Sequence, residues 1–111
     1  MSRYTPGKLI KVNRNLHYSP DEGCFRSNVE EGFIGFIAGT VRTDEEGIQY
    51  RELNNIPVAK LVWRQERGEM PARIYHKNFN QLDCRIENLT TEIKELDVDS
   101  GGELIYMGRL I

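Results

Sequence analysis

Apolar and polar positions along this chain fall mostly into short runs set between turn-forming clusters. The apolar-rich run at 8–12 predicts a first short strand. Ser19-Pro20-Asp21-Glu22-Gly23 predicts a turn, because proline presets φ and glycine supplies φ > 0; residues 24–27 read as the strand that leaves it. Residues 33–42 are apolar and β-prone. Thr43-Asp44-Glu45-Glu46-Gly47 follows as a hairpin loop, and 48–53 alternates with period two, so these two runs predict an antiparallel hairpin.

The period then changes. Asn54 or Asn55 can cap a helix running from about Pro57 to Arg67, with Pro57 near the first turn, where a missing N–H costs nothing. Val58, Leu61 and Val62 fall on one face, Arg64 and Glu66 elsewhere on the wheel, and Leu61, Val62 and Trp63 are expected to be largely buried. Gly68 stops the helix and Pro71 lies just beyond. Residues 72–76 predict another strand, 77–85 a polar loop, 90–96 a short helix, 97–102 a loop and 103–111 a final strand. The expected architecture is α+β: one small antiparallel sheet with one main helix packed on it.

Composition bounds the reading. A chain of 111 residues suits a single domain over 1–111, and 39% hydrophobic with 29% charged residues is a globular balance. No apolar run approaches the roughly 20 residues of a membrane span, and residues 1–14 lack the pattern of a signal peptide, so no membrane association and a cytoplasmic location are expected. The net charge of -2 counts against non-specific DNA binding, where affinity comes from neutralising phosphates. Within it, Lys60, Arg64, Arg67, Arg73, Lys77 and Arg85 form a local basic stretch, which reads equally well as part of a mixed solvated surface. Cys24 and Cys84 read as reduced thiols. With His17 and His76 they make a formal Cys2His2 set, but no ligand pair has metal-site spacing.

Candidate chemistry gathers in Ile74-Tyr75-His76-Lys77-Asn78-Phe79-Asn80-Gln81-Leu82-Asp83-Cys84-Arg85-Ile86-Glu87-Asn88-Leu89. This stretch resembles the core signature of the HNH (ββα-metal) homing-endonuclease family of phages and other mobile elements, I-D-H-x-N-G-(N/D)-x-L-D-N-R-x-E-N-L. Upstream, Leu16 to Arg26 resembles the family's L-x-Y-D-P-x-T-G-x-F, and Val58-Ala59-Lys60-Leu61-Val62-Trp63 followed by Gly68-Glu69-Met70-Pro71 resembles its A-H-R-L-V-W and G-x-x-P. The resemblance runs from about Leu16 to Leu89.

It implies a ββα-metal-like unit after the main helix, with His76 as general base and Asn88 as a metal ligand. A nuclease of this type needs a base to activate water, oxygen ligands for a hard cation such as Mg²⁺, and cations to grip the backbone. Several positions depart from the pattern. Tyr75 replaces the ligand before the histidine, and a neutral phenol is a poor Mg²⁺ ligand. Cys84 replaces the Asn of D-N-R. Phe79 replaces the turn glycine, at a position that wants φ > 0. Lys60 replaces the helix histidine, and the final helix is shortened. Plainer readings stand beside these: His76 as an ordinary strand histidine, Asn88 as a helix cap, Trp63 as core, Lys60 as a solvated lysine and Cys84 as a passive buried thiol.

The functional expectation is a catalytically impaired HNH-like phage protein that binds a protein or nucleic-acid partner, possibilities including inhibition of a host or competitor enzyme. The acidic balance favours a protein over bare DNA. Two alternatives are an active Mg²⁺-dependent DNA-nicking endonuclease and a structural subunit of a larger assembly. No small-molecule cofactor is expected, and Mg²⁺ only for an active nuclease; a phage-encoded protein would work in the host cytoplasm.

Overall fold

The computed structural model describes residues 8–92; the first seven residues and the elements expected after residue 92 lie outside them. Within this range the chain is α+β, with small antiparallel sheets and a single α-helix. The first sheet joins β1 (Ile10–Asn13), β2 (Leu16–Ser19), β3 (Cys24–Ser27) and β4 (Phe36–Ile37) in sequence order. β2 and β3 close around the expected turn: Ser19 faces Cys24 across the ladder, and the Gly23 N–H donates to the Ser19 carbonyl at 2.9 Å. Gly23 sits at φ +68, the left-handed region that L side chains resist. A Cβ there would also overlap the backbone N of Arg85 and the carbonyl carbon of Cys84. The turn therefore rests directly on the backbone of a loop far along the chain.

The second sheet holds β5 (Thr40–Thr43), β6 (Gln49–Leu53) and β7 (Ile56–Pro57). The β5–β6 hairpin lies where the alternation placed it, and Asp44 Oδ1 closes its loop by accepting the N–H groups of Glu46 and Ile48, each at 2.9 Å. The β-prone run 33–42 is not one strand, however. It breaks into β4 and β5, which belong to different sheets. Gly39, at φ +104, lies at the break, and a Cβ there would stand 2.5 Å from the Glu52 carbonyl oxygen. The chain leaves one sheet for the other through a conformation that suits glycine, so three small sheets form where one was expected.

Asn54 and Asn55 do not cap the helix. Both have positive φ, 54° and 66°, and they make the two-residue turn between β6 and β7, the geometry that right-twisted hairpins favour. The helix α1 (Val58–Arg67) leaves β7 directly, with Pro57 at its N-cap and no side-chain cap. Gly68 ends it as expected, left-handed at φ 86, its N–H donating to the Arg64 carbonyl at 2.9 Å.

Val58, Ala59 and Val62 carry the helix into the core, against Tyr18, Phe25, Ile74, Cys84 and Leu89. Each fully buried Val, Ile or Leu among them contributes about 1.5–3 kcal/mol by burial, and Ala59 less. Val62 is buried as expected, but Leu61 and Trp63 flank the stripe and are only half-buried. Leu61 opens on a cleft of about 310 Å³ shared with Val12, Leu53 and Ile56. Glu66, off that stripe, is half-buried. Its carboxylate accepts the Tyr18 hydroxyl at 2.6 Å, tying α1 to β2. Burial first, then that carboxylate, push the Tyr18 hydroxyl above its ordinary pKa.

The third sheet is the pair β8 (Tyr75–His76) and β9 (Leu89–Thr90), Tyr75 opposite Thr90 and His76 opposite Leu89. β8 is shorter than the 72–76 strand expected, because Ala72 and Arg73 are exposed and outside the ladder. The short helix expected from Thr90 does not begin there. Thr90 is paired in β9, and its Oγ1 accepts the Glu92 N–H at 2.9 Å.

Candidate functional site

β8 and β9 bracket a loop, residues 77–88, that is closed by its own asparagines. The Asn80 N–H donates to Asn78 Oδ1 at 2.9 Å and the Leu82 N–H to Asn80 Oδ1 at 3.1 Å, two turns of the kind that short amide side chains make with backbone two residues on. Phe79 N–H donates to the His76 carbonyl at 2.9 Å with Phe79 at φ 64, the left-handed geometry expected of this position. A 3-10 turn, Ile86–Asn88, leads back to β9. The Lys77 N–H donates to the Asn88 carbonyl at 2.7 Å and so zips the loop shut at its base.

The loop brings His76 against Cys84, and its base joins the backbone of Lys77 to that of Asn88. His76 is 3% exposed, and its Nδ1 is buried with no hydrogen-bond partner. Its Nε2 lies 3.7 Å from Cys84 Sγ, which is also 3.7 Å from the Gln81 carbonyl oxygen. Burial pushes the His76 pKa down to about 4, opposed in part by the Asp83 carboxylate. It pushes the Cys84 thiol up to about 12, with Asp83 adding to the effect. The pair is a neutral imidazole against a neutral thiol.

Tyr75 is buried beside His76. The Asn88 side chain is engaged at both ends: Oδ1 accepts the Asn78 N–H at 3.1 Å, and Nδ2 donates to the Asp83 carbonyl at 2.7 Å. It caps no helix, since β9 follows. Asp83 takes Arg85 Nε and an Arg85 terminal nitrogen at 2.7 Å each, with Asn78 Nδ2 at 3.2 Å. These bonds hold its carboxyl below the usual range, the Arg85 guanidinium first among them. Among the described residues, no group of three or more His, Cys, Asp or Glu is placed to hold a metal ion.

The basic residues divide. Lys60, Arg64 and Arg67 recur at i, i+4 and i+7 and form one stripe on α1. Lys60 Nζ donates to the Ala72 carbonyl at 3.2 Å, and the Arg67 guanidinium lies 5.4 Å from the Trp63 ring centre. Arg73 is exposed and Lys77 half-buried. Arg85 is taken up by Asp83 and, at 3.2 Å, by Glu87.

Residues 58–91 match the model of a family described as HNH endonuclease. No curated protein and no solved structure matches the chain. The HNH-like segment runs from the first residue of α1 to just past β9, well under half of the 111 residues, and contains the whole site just described. It links the chain to nuclease-related chemistry and to nucleic acid. Among the described residues no helix is long and apolar enough to cross a membrane.

Sequence reasoning did not single out Asp83, Asn78 or Gln81 in the HNH-like segment. The Asn78-x-Asn80 spacing was the available signal for the first turn. Nothing marked Gln81, whose carbonyl faces Cys84.

The buried imidazole sets a pH dependence. A histidine in an unfolded chain titrates near 6.5. Between that value and about 4 the unfolded chain binds a proton that folded His76 refuses, so stability falls as pH drops through this window and is untouched by His76 above it. The expected loss is on the order of 3 kcal/mol. Glu22 and Asp83, held below the usual carboxylate range mainly by Arg26 and Arg85, add acid sensitivity at lower pH. That part is common to wild type and to His76→Gln, so urea unfolding of both from pH 7 to 4 isolates the histidine. The variant should lose less stability across the window; parallel curves would mean that His76 is not held neutral.

Proposed function

We propose that this chain is an HNH-like protein that binds nucleic acid through the α1 face and does not cleave it at a useful rate. The observation that carries this reading is the commitment of the donors around His76. Mg²⁺ takes oxygen ligands in near-octahedral geometry, with at least one carboxylate among those a protein supplies. Here the histidine follows a phenol in sequence and faces a thiol, and Asn88, at the family's ligand position, is an amide already hydrogen-bonded at both ends. The nearby carboxylate, Asp83, is neutralised by Arg85. These residues do not fit a hard divalent cation, so no hydrolytic step is derived through one. A general base alone contributes about 10²–10⁴-fold, far less than phosphodiester hydrolysis needs.

The net charge of -2 argued for a protein partner. The stripe of Lys60, Arg64 and Arg67 on one helix face instead supports a phosphate backbone, since local rather than net charge makes those contacts. The family match favours a second reading, an active nicking enzyme with His76 as base and Asn88 as metal ligand. One pair of assays separates the readings. Supercoiled plasmid with Mg²⁺ or Mn²⁺ should stay intact with wild type and with His76→Ala alike. Mobility shift should detect binding, and the triple variant Lys60→Ala/Arg64→Ala/Arg67→Ala should lower the slope of log affinity against log salt by roughly 2–3. Metal-dependent nicking that disappears in His76→Ala would overturn the proposal in favour of the enzyme. Absence of any shift at low salt would return the protein partner to first place.

A further inference from the structure

We propose that Cys24 and Cys84 are a disulfide-forming pair, whose oxidation staples the start of β3 to the loop of the HNH-like segment. The pairing does not rest on what that segment binds. Both cysteines are free and buried, and both line one cavity of about 140 Å³. Their backbones meet one residue away, where Gly23 lies against the Cys84 carbonyl carbon and the Arg85 nitrogen. Consecutive Cα atoms are about 3.8 Å apart. Contact at Gly23 therefore draws the Cα of Cys24 toward that of Cys84, in the direction of the roughly 4.4–6.8 Å that a disulfide spans. The Cys84 thiol also lies in the electrostatic field of Cys24, and both thiols lie in that of Arg51, which lines the same cavity.

Access and chemistry follow from the lining. Ile37 and Leu82, exposed at 42% and 43%, belong to the cavity wall and give it an opening to solvent. The contacts of Cys84 in the reduced state are long ones, 3.7 Å to His76 Nε2 and 3.7 Å to the Gln81 carbonyl. Turning the sulfur toward Cys24 gives up little. With a small disulfide such as oxidised glutathione, one cysteine attacks a reagent sulfur and releases the first glutathione thiol. The second cysteine then attacks the mixed disulfide and releases the second. One S–S bond is made in the protein and one is lost in the reagent, two electrons pass to the reagent, and the two thiol protons leave with the two glutathiones. The Arg51 guanidinium favours the attacking thiolate, while burial makes the exchange slow.

The test uses the full chain, incubated folded with oxidised glutathione, then denatured, alkylated and weighed. The expected product is a monomer that has lost two hydrogens and takes up no alkylating reagent, with a peptide map linking Cys24 to Cys84. Its Tm should rise by roughly 5–15 °C and return with dithiothreitol. Cys24→Ser and Cys84→Ser should each gain one glutathione or keep one alkylatable thiol, with no such rise. If either variant fails to fold, the wild-type mass and peptide map decide alone. Wild type that ends with two bound glutathiones, as a cross-linked dimer, or with both thiols still alkylatable after prolonged exposure overturns the proposal.

Discussion

Gly23→Ala should cost about 2–5 kcal/mol, a large share of the stability of a protein of this size. Two effects add. At φ +68 an L residue is strained by roughly 1–2 kcal/mol. The new methyl also meets backbone, not a flexible side chain: the nitrogen and Cα of Arg85 and the carbonyl carbon of Cys84. Relief requires the β2–β3 turn to part from the HNH-like loop, an overpacking penalty of typically 1–3 kcal/mol or more. Gly47→Ala is the control. Gly47 has φ +84 with nothing within 4 Å of the added Cβ, so it carries the strain alone. Urea unfolding should show Gly23→Ala losing at least about 1–3 kcal/mol more than Gly47→Ala. Equal losses would show that the close approach carries no weight.

Asn88→Asp should cost about 3 kcal/mol, and Mg²⁺ should not restore it. The amide is buried and serves the loop twice, accepting the Asn78 N–H and donating to the Asp83 carbonyl. A carboxylate keeps the first bond. It turns the second into an oxygen facing an oxygen where the donor stood at 2.7 Å. A residue placed mainly to hold a cation predicts the opposite, because aspartate binds Mg²⁺ better than asparagine does. Denaturation with and without Mg²⁺ distinguishes them. An Asp variant as stable as wild type, or one rescued by the metal, would remove Asn88 from its place as the pin of the loop.

The sequence was most legible where one residue type permits one geometry. Ser19-Pro20-Asp21-Glu22-Gly23 could hardly be other than a turn, and Gly68 ends α1 where the period stops. It was least legible where a residue serves two local structures. Asn54 and Asn55 suit a helix cap and a tight turn equally. The deciding fact is that β6 is answered by β7, a pairing of two residues that periodicity cannot register. The run 33–42 reads as continuous strand because its apolar character does not change at Gly39, where the chain changes sheets. At the site, the motif spacing singled out His76, Cys84 and Asn88. It could not say that the Asn88 amide would be spent on the loop, or that Arg85, one of six candidate contact cations, would be held by Asp83. Those are side-chain competitions settled in three dimensions.

Tyr18 and Phe25 find their core partners in residues 58–89, and this separation shapes how the protein is made. As the nascent chain leaves the ribosome, the β2–β3 hairpin emerges with its aromatic face bare, and an isolated hairpin is marginal in water at best. At about 5–20 residues per second, Leu89 follows Phe25 by roughly 3–13 s. For that interval an aromatic surface waits for the helix that will cover it. Rare codons between residues 25 and 58 would lengthen the wait, and a holding chaperone would have its clearest opportunity there.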